Sequence, residues 1–330
     1  MLLQLSESIS RQELVELVRL ASLAPSLHNS QPWKFLLQDC TIKIYPDFTR
    51  RLPVEDPDDH ALFISLGCAL ENLLIAARHM RFVPEVDYNL NTEPHDCLTV
   101  LLRRGSTEVE APLFKAIPER QTTWGGYGRQ RVPLGHLKEL MRATEREGVY
   151  AWLLVEKEDI DPVIELARES TRIQFARKDF LRELTSWIRF NRGEVEAHQD
   201  GLTYAALGMP SVPRWLGKLL INALAVAEWQ VRQCGKLIRT SSAMLVFTAR
   251  ENNKISWVQT GRSLERMALA ATSLGIRYAL VNAPCQVLYV RKQLQRHLGL
   301  TEDHPLLLVR VGYAHPMPRS PRRPVQGLIL

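Results

Sequence analysis

An eleven-residue segment occurs twice in this chain of 330 residues. Gly67-Cys-Ala-Leu-Glu-Asn-Leu-Leu-Ile-Ala-Ala77 and Gly261-Arg-Ser-Leu-Glu-Arg-Met-Ala-Leu-Ala-Ala271 share Gly, Leu, Glu, Ala and Ala at one constant offset of 194. Leu73 against Met267 and Ile75 against Leu269 are apolar exchanges of similar volume, which a packed helix tolerates. Two unrelated Ala/Leu-rich helices could share as much, but the flanks also agree. Each copy is followed by two short apolar runs bounded by breakers, Val83 to Leu90 and Leu98 to Leu102 in one case, Tyr278 to Asn282 and Leu306 to Val311 in the other. Such runs read as buried strands. The pattern predicts two copies of one α/β unit.

The predicted helix from about Ala61 to His79 is apolar on nearly every face, with Leu62, Leu66, Leu70, Leu73, Leu74 and Ala77, so more than one side must be covered. A helix of this kind suits a half-to-half interface. A fused homodimer would set the copies about an internal pseudo-twofold axis, with ligand sites between them. The polar stretch Gly105-Ser-Thr-Glu-Val-Glu-Ala-Pro112 breaks the pattern and divides the sequence into halves 1–110 and 111–330. From about 185 to 220 the second half carries Trp187, Arg189, Asn191, Asp200-Gly-Leu202 and Trp215, which have no counterpart in the first. This predicts a lid-like insertion.

Charge and cysteine usage narrow the function classes. The net charge of +6 is concentrated at 291–330, where seven basic residues face two acidic ones. No aromatic interleaving or helix-turn-helix pattern accompanies it, so a small phosphate ligand fits better than a nucleic acid. The five cysteines are an odd number without a C-x-x-C pair, and no H-E-x-x-H occurs among the nine histidines. Neither a disulfide framework nor a metal site is expected, His95 and Cys97 being too isolated to form one. No run approaches the roughly 18 apolar residues of a membrane span, and MLLQLSESIS lacks the form of a signal peptide, so a cytoplasmic protein without membrane partners is expected.

Leu14, Leu17, Val18, Leu20 and Ala21 predict an amphipathic helix that ends before Pro25, where a polar loop begins. Ser26, Asn29 and Gln31 in that loop supply donors and acceptors suited to the edge of a flat heteroaromatic ring, or equally to their own local backbone. The string Ala24-Pro-Ser-Leu-His-Asn-Ser-Gln-Pro-Trp33 resembles the flavin-contacting loop of nitroreductase-like proteins, and the Gly67–Ala77 segment resembles their central interface helix. Length, doubled helix and the ending Pro318-Arg-Ser-Pro-Arg-Arg-Pro-Val325 look most like the twin-domain Acg-type branch. The resemblance implies an α/β (α+β nitroreductase-like) fold, with two tandem domains forming an intramolecular pseudo-dimer that can stand as a monomer.

By the same resemblance, Arg120-Gln-Thr-Thr-Trp124 supplies the basic and hydroxyl residues of a phosphate motif, with Trp124 where a second basic residue is usual. Ser8-Ile-Ser-Arg11 gives no convincing version in the first half, so one FMN site is expected. It would take Pro25, Ser26, Asn29 and Gln31 from the first half, and Arg120, Thr122, Arg322 and Arg323 from the second, with Ala283 and Pro284 along the ring. The implied activity is transfer from NAD(P)H through FMN to a nitroaromatic or quinone-type acceptor. The flavin carries that chemistry, no catalytic side chain is nominated, and His28 reads as structural. A second reading stands beside it. Asp200-Gly-Leu202 resembles part of a lid, and with Trp124 this implies a protein that stores or senses FMN with little turnover.

Overall fold

Ser10 caps the first helix in a reciprocal capping box with Glu13, and the helical spacing of Leu14, Leu17, Val18 and Ala21 buries one face. A computed structural model describes residues 9–91, 95–105, 108–221 and 224–330; Ser8 of the first-half motif search and Ser106-Thr107 of the expected break lie outside the described residues. The first half runs α1 (Arg11–Ala21), β1 (Trp33–Gln38), β2 (Thr41–Pro46), α2 (His60–His79), β3 (Phe82–Asn89) and β4 (Cys97–Arg104). Its sheet has the order β1-β2-β4-β3, antiparallel throughout.

Next come α3 (Ala111–Ala116), α4 (Leu134–Thr144), β5 (Val149–Leu154), α5 (Lys157–Phe175), α6 (Lys178–Trp187), β6 (Ile188–Arg189), α7 (Arg192–His198), β7 (Leu202–Thr203), α8 (Arg214–Ile221) and α9 (Leu224–Arg239). The second half ends with β8 (Ala243–Ala249), α10 (Lys254–Ser273), β9 (Arg277–Leu280), α11 (Ala283–Gln286), α12 (Leu288–His297) and β10 (His304–Gly312). The second sheet, β5-β8-β10-β9, is also antiparallel and repeats the first in strand order and connectivity. In each, the long helix joins the second strand to the third, and a shorter helix ahead of the first strand, α1 or α4, packs on it. The halves differ between their first and second strands. Asp39-Cys40 joins β1 to β2, whereas α5 to α9 lie between β5 and β8, so the material without a counterpart is longer than the 185–220 stretch that composition marked.

The two long helices cross at the repeated glycines. A Cβ on Gly67 would collide with the Val258 carbonyl, and one on Gly261 would collide with the Ile64 carbonyl and stand 3.0 Å from the Gly67 Cα. The contact is reciprocal: each glycine meets the backbone three residues before the other, and both pairs keep the offset of 194. An interface about a twofold axis has this form. In α2 every residue from His60 to Ala77 is buried, and one apolar core runs from α1 through both long helices to β10. Although no uninterrupted apolar run reaches membrane-span length, α2 taken whole is long and apolar enough for one, and it is buried inside the protein.

The tail beyond β10 crosses back to the first half. Phe35 on β1 donates its N–H to the Leu328 carbonyl, and its own carbonyl accepts from Leu330 N–H, each at 2.8 Å. Within the excursion, Ile188, Phe190 and Ile221 form a separate small core under α6 and α8.

Alanine is preferred over glycine in a helix by roughly 1 kcal/mol, and the solvent-facing Gly135 of α4 has no neighbour for an added Cβ. Gly135→Ala is therefore expected to stabilise slightly. Gly261→Ala should destabilise by about 1–3 kcal/mol, because a backbone carbonyl cannot rotate out of the way. Urea denaturation of the two variants reads the difference, and a neutral or stabilising Gly261→Ala would contradict the close crossing.

Candidate functional site

The loop between α1 and β1 is held in an unusual backbone conformation. His28, Asn29 and Gln31 have φ of 51°, 54° and 52°, the left-handed region that costs a residue with a Cβ on the order of 1 kcal/mol or more. Hydrogen bonds fix it from several sides. The Ser26 Oγ accepts from Gln31 N–H at 2.9 Å, and His28 Nε2 lies 2.5 Å from the Glu55 carboxylate. Burial opposes charge on His28, yet Glu55 more than offsets it and raises the imidazole above its ordinary value.

The side chains of Asn29 and Gln31 are buried and fully engaged. Asn29 Nδ2 donates to the carbonyls of Gly201 and Pro321 at 3.2 and 3.1 Å, and its Oδ1 accepts from Arg322 Nη1 at 2.8 Å. Gln31 Nε2 donates to the Gln199 carbonyl at 3.1 Å, and its Oε1 accepts from the Arg323 N–H at 2.8 Å. Gly201 N–H completes the set on the Asn29 carbonyl at 3.2 Å. The excursion thus lies directly on this loop. Asp200 is clamped there between Arg189, at 2.5 Å, and Arg50. Gly201 has φ 76° and a Cβ there would strike the Trp187 carbonyl, so the turn requires glycine on both counts.

Two guanidiniums from distant parts of the sequence meet behind the loop. Arg120 donates to the Tyr278 hydroxyl and the Leu23 carbonyl, each at 2.8 Å, and its Nε stands 3.3 Å from Glu265. Thr122 Oγ1 shares the Tyr278 hydroxyl at 3.4 Å. Arg322 donates Nη2 to the carbonyls of Leu23 and Ala24 at 3.2 Å, while its buried Nε has no hydrogen-bond partner among the described residues. Burial, then the neighbouring Arg120, pushes Arg322 down to about 9. Burial likewise pushes the Glu265 carboxyl up to about 7, against the pull of Arg120. Positive charge is in excess here: two guanidiniums share one carboxylate that burial discourages from ionising.

Ser26, Asn29, Gln31, Arg120, Thr122, Arg322 and Arg323 therefore converge, and Pro25 is buried in the same loop. Ala283 and Pro284 open α11 and connect only at a distance, through Gln286 donating to Glu55 at 2.9 Å and Glu55 bonding His28. Trp124 is 40% exposed and offers this region only its carbonyl, which Arg310 binds together with those of Thr123 and Gly125. Sequence reasoning missed Tyr278, Glu265 and the Gln199–Gly201 backbone. Glu265 left a signal, a carboxylate repeated at Glu71 within an apolar helix; Tyr278 left none inside its apolar strand.

Compared with known proteins, the chain is similar over nearly its whole length to putative NAD(P)H nitroreductases. The putative NAD(P)H nitroreductase Rv3131 of Mycobacterium tuberculosis is 23% identical over 320 residues, covering 94% of this chain and 89% of that protein. The putative NAD(P)H nitroreductase acg of the same organism is 26% identical over 324 residues, covering 93% and 92%. Among solved structures, the FMN-dependent nitroreductase NfnB of Mycobacterium smegmatis in complex with NADPH matches 66% of this chain and 96% of its own, with 14% identity and a TM-score of 0.43. No family model matches.

The Glu265 shift has a signed consequence. The folded protein holds its proton up to about 7 against an ordinary 4.5, so this group's contribution to stability is complete below about 4.5 and declines as pH rises through 7. Glu265→Gln should flatten the stability–pH curve across that window, measured by urea denaturation at successive pH values. An unchanged slope would remove Glu265 as its source.

Proposed function

We propose that the protein binds one FMN between two duplicated halves, about 1–110 and 111–330, and works as an NAD(P)H-dependent oxidoreductase on small acceptors. The carrying observation is the convergence behind one loop of buried Arg120 and half-buried Arg322, with one carboxylate, Glu265, beside Arg120 and an unused N–H on Arg322. A phosphate fits that chemistry, because it offers a dianionic acceptor to guanidinium forks that now bond mainly to neutral oxygens. The names of the relatives point the same way, both being putative NAD(P)H nitroreductases.

In this reading Arg322, Arg120 and Thr122 hold the phosphate, with Arg323 beside them. Ser26, Asn29 and Gln31 orient the polar edge of the ring, and Pro25, Ala283 and Pro284 give it apolar cover. FMN, when bound, supplies hydride acceptance from reduced nicotinamide and electron delivery to a nitroaromatic or quinone-type acceptor. The protein's part is to position, to stack and to keep water out.

One observation favours a second reading, a flavin-storing or flavin-sensing protein with low turnover. The peptide groups of Gln199 and Gly201 already take the hydrogen bonds of Gln31 and Asn29. A backbone carbonyl and N–H are much like the edge of a flavin pyrimidine, so the excursion occupies the partners that a ring would use. Exchanging one set for the other conserves the number of hydrogen bonds and costs little by itself, but it requires the excursion to move.

Flavin release and quantitation should give close to one FMN per chain. Arg322→Gln should weaken FMN by roughly 30-fold to several thousand-fold, the usual range for one member of a buried charge pair, and riboflavin far less. Equal losses for both flavins, read by titrating refolded apoprotein, would take the phosphate away from Arg322.

Asp200→Asn should release the clamp to Arg50 and Arg189, and with it raise both the rate of flavin exchange and steady-state NAD(P)H oxidation. Low oxidation before the substitution and a rise after it supports the storing reading. High oxidation before it, with no change after, supports an open reductase.

A further inference from the structure

The internal pseudo-twofold symmetry gives the Arg120–Arg322 cluster a rotation-related place on the other side of the helix crossing. Glu71 on α2 is the counterpart of Glu265 on α10, at the offset of 194, and both are completely buried. Arg146 follows α4 by two residues, as Leu23, whose carbonyl Arg120 and Arg322 share, follows α1 by two. Around Glu71 the fold leaves a cavity of about 390 Å³. Its inner wall carries Arg78, Arg146, Arg262 and Arg266 against the carboxylates of Glu71 and Glu110, and Glu108 stands exposed at the mouth.

Glu71 is saturated. It receives Arg146 at 3.2 Å and Arg262 and Arg266 at 2.8 Å, and though burial opposes its charge, the three guanidiniums hold its carboxyl down to about 2. The donors exceed what it can accept. Arg78 has no ion contact closer than 3.9 Å, to Glu110, and the buried Nε of Arg146 has no hydrogen-bond partner among the described residues. Burial lowers both arginines from their ordinary value, so the wall bears uncompensated positive charge in a partly dry space.

A flavin ring is not the complement of this cavity. The loop that links α1 to β1 has eleven residues, 22–32, whereas its counterpart between α4 and β5 has four, 145–148, and carries no Asn or Gln. Of the symmetric arrangement only the carboxylate has its counterpart here, Glu71; the arginines around it come from other positions of the repeat, and the ring-facing loop has no equivalent.

We propose that this cavity binds a small phosphate-bearing anion, held by Arg78 and Arg146 at the unsatisfied edge of the Glu71 cluster. Four arginines against three glutamates leave the lining one net positive charge, which favours an anion, and paired guanidinium forks suit tetrahedral oxygens. The inference stands independently of the flavin reading, since it uses none of the residues assigned to FMN.

The test is titration of the full-length protein with inorganic phosphate and with pyrophosphate, followed by the shift in melting temperature and by ³¹P line broadening, against sodium chloride at equal ionic strength. Wild type is expected to show saturable binding of phosphate that chloride does not reproduce. With the protein loaded with FMN, Arg78→Gln, whose one ion contact is long, should fold normally by circular dichroism and weaken phosphate at least tenfold, with Arg146→Gln as a second variant; Arg129→Gln, on the exposed surface, should leave this phosphate affinity in place. Wild-type affinity in both Arg78→Gln and Arg146→Gln, an equal loss in Arg129→Gln, or an equal response to chloride would each overturn the proposal.

Discussion

The contact of α2 with α10 is a backbone-to-backbone one, and most of the molecule is arranged by it. Two helices can approach so closely only where neither carries a side chain, and the sequence meets that requirement at one position in each copy, Gly67 and Gly261. The closeness has a price elsewhere on the helices. Four residues past each glycine lies a glutamate with no route to water, and each is answered by arginine: three around Glu71, one against Glu265 with a second close by. The crossing thereby creates, on either side of itself, a buried site where anion and cation chemistry must be settled by the protein alone.

The two settlements differ. At Glu71 the carboxylate stays ionised because three guanidiniums surround it, and an open cavity lies beside them. At Glu265 burial wins over a single direct partner, and the neighbouring space is filled by the polar loop, the tail and the Gln199–Gly201 turn. One repeated pattern of charges, placed in two different surroundings, yields one carboxyl well below its usual range and another well above it. Covalent fusion permits such divergence, because in a symmetric pair of separate chains every substitution would change both sites at once.

The layout of each half was legible wherever periodicity and breakers agreed. The apolar run of α2, the four strand-like runs after the two long helices, and the amphipathic α1 all appear within a few residues of where their spacing put them. The repeat pointed to a half-to-half interface of the long helices, but not to the glycines as the place where they cross. What the sequence hid was of two kinds. Helices α5 to α9 have no partner copy to be aligned with, so composition marked only the tryptophan- and glycine-rich portion of a longer excursion. The other kind is backbone chemistry: the carbonyls of Leu23, Gln199 and Gly201 are central to the site, yet a carbonyl has no letter in the sequence. Arg120 and Arg322 were recognisable as charges, but the raised carboxyl of Glu265 depends on burial that only the folded protein defines.

The tail that carries Arg322 and Arg323 reaches residues almost three hundred positions earlier, and its last strand-like contact closes on β1. On a ribosome the polar loop leaves the tunnel nearly three hundred residues before the tail segment that bonds it has been made. At the usual 5–20 residues per second this interval is roughly fifteen seconds to a minute. During it Asn29 Oδ1 and Gln31 Oε1 lack the donors that Arg322 and Arg323 later bring, and the left-handed turn relies on Ser26, Glu55 and, once made, the Gln199–Gly201 backbone. The loop is accordingly locked into its final shape only after a segment nearly three hundred residues further along the chain has been made.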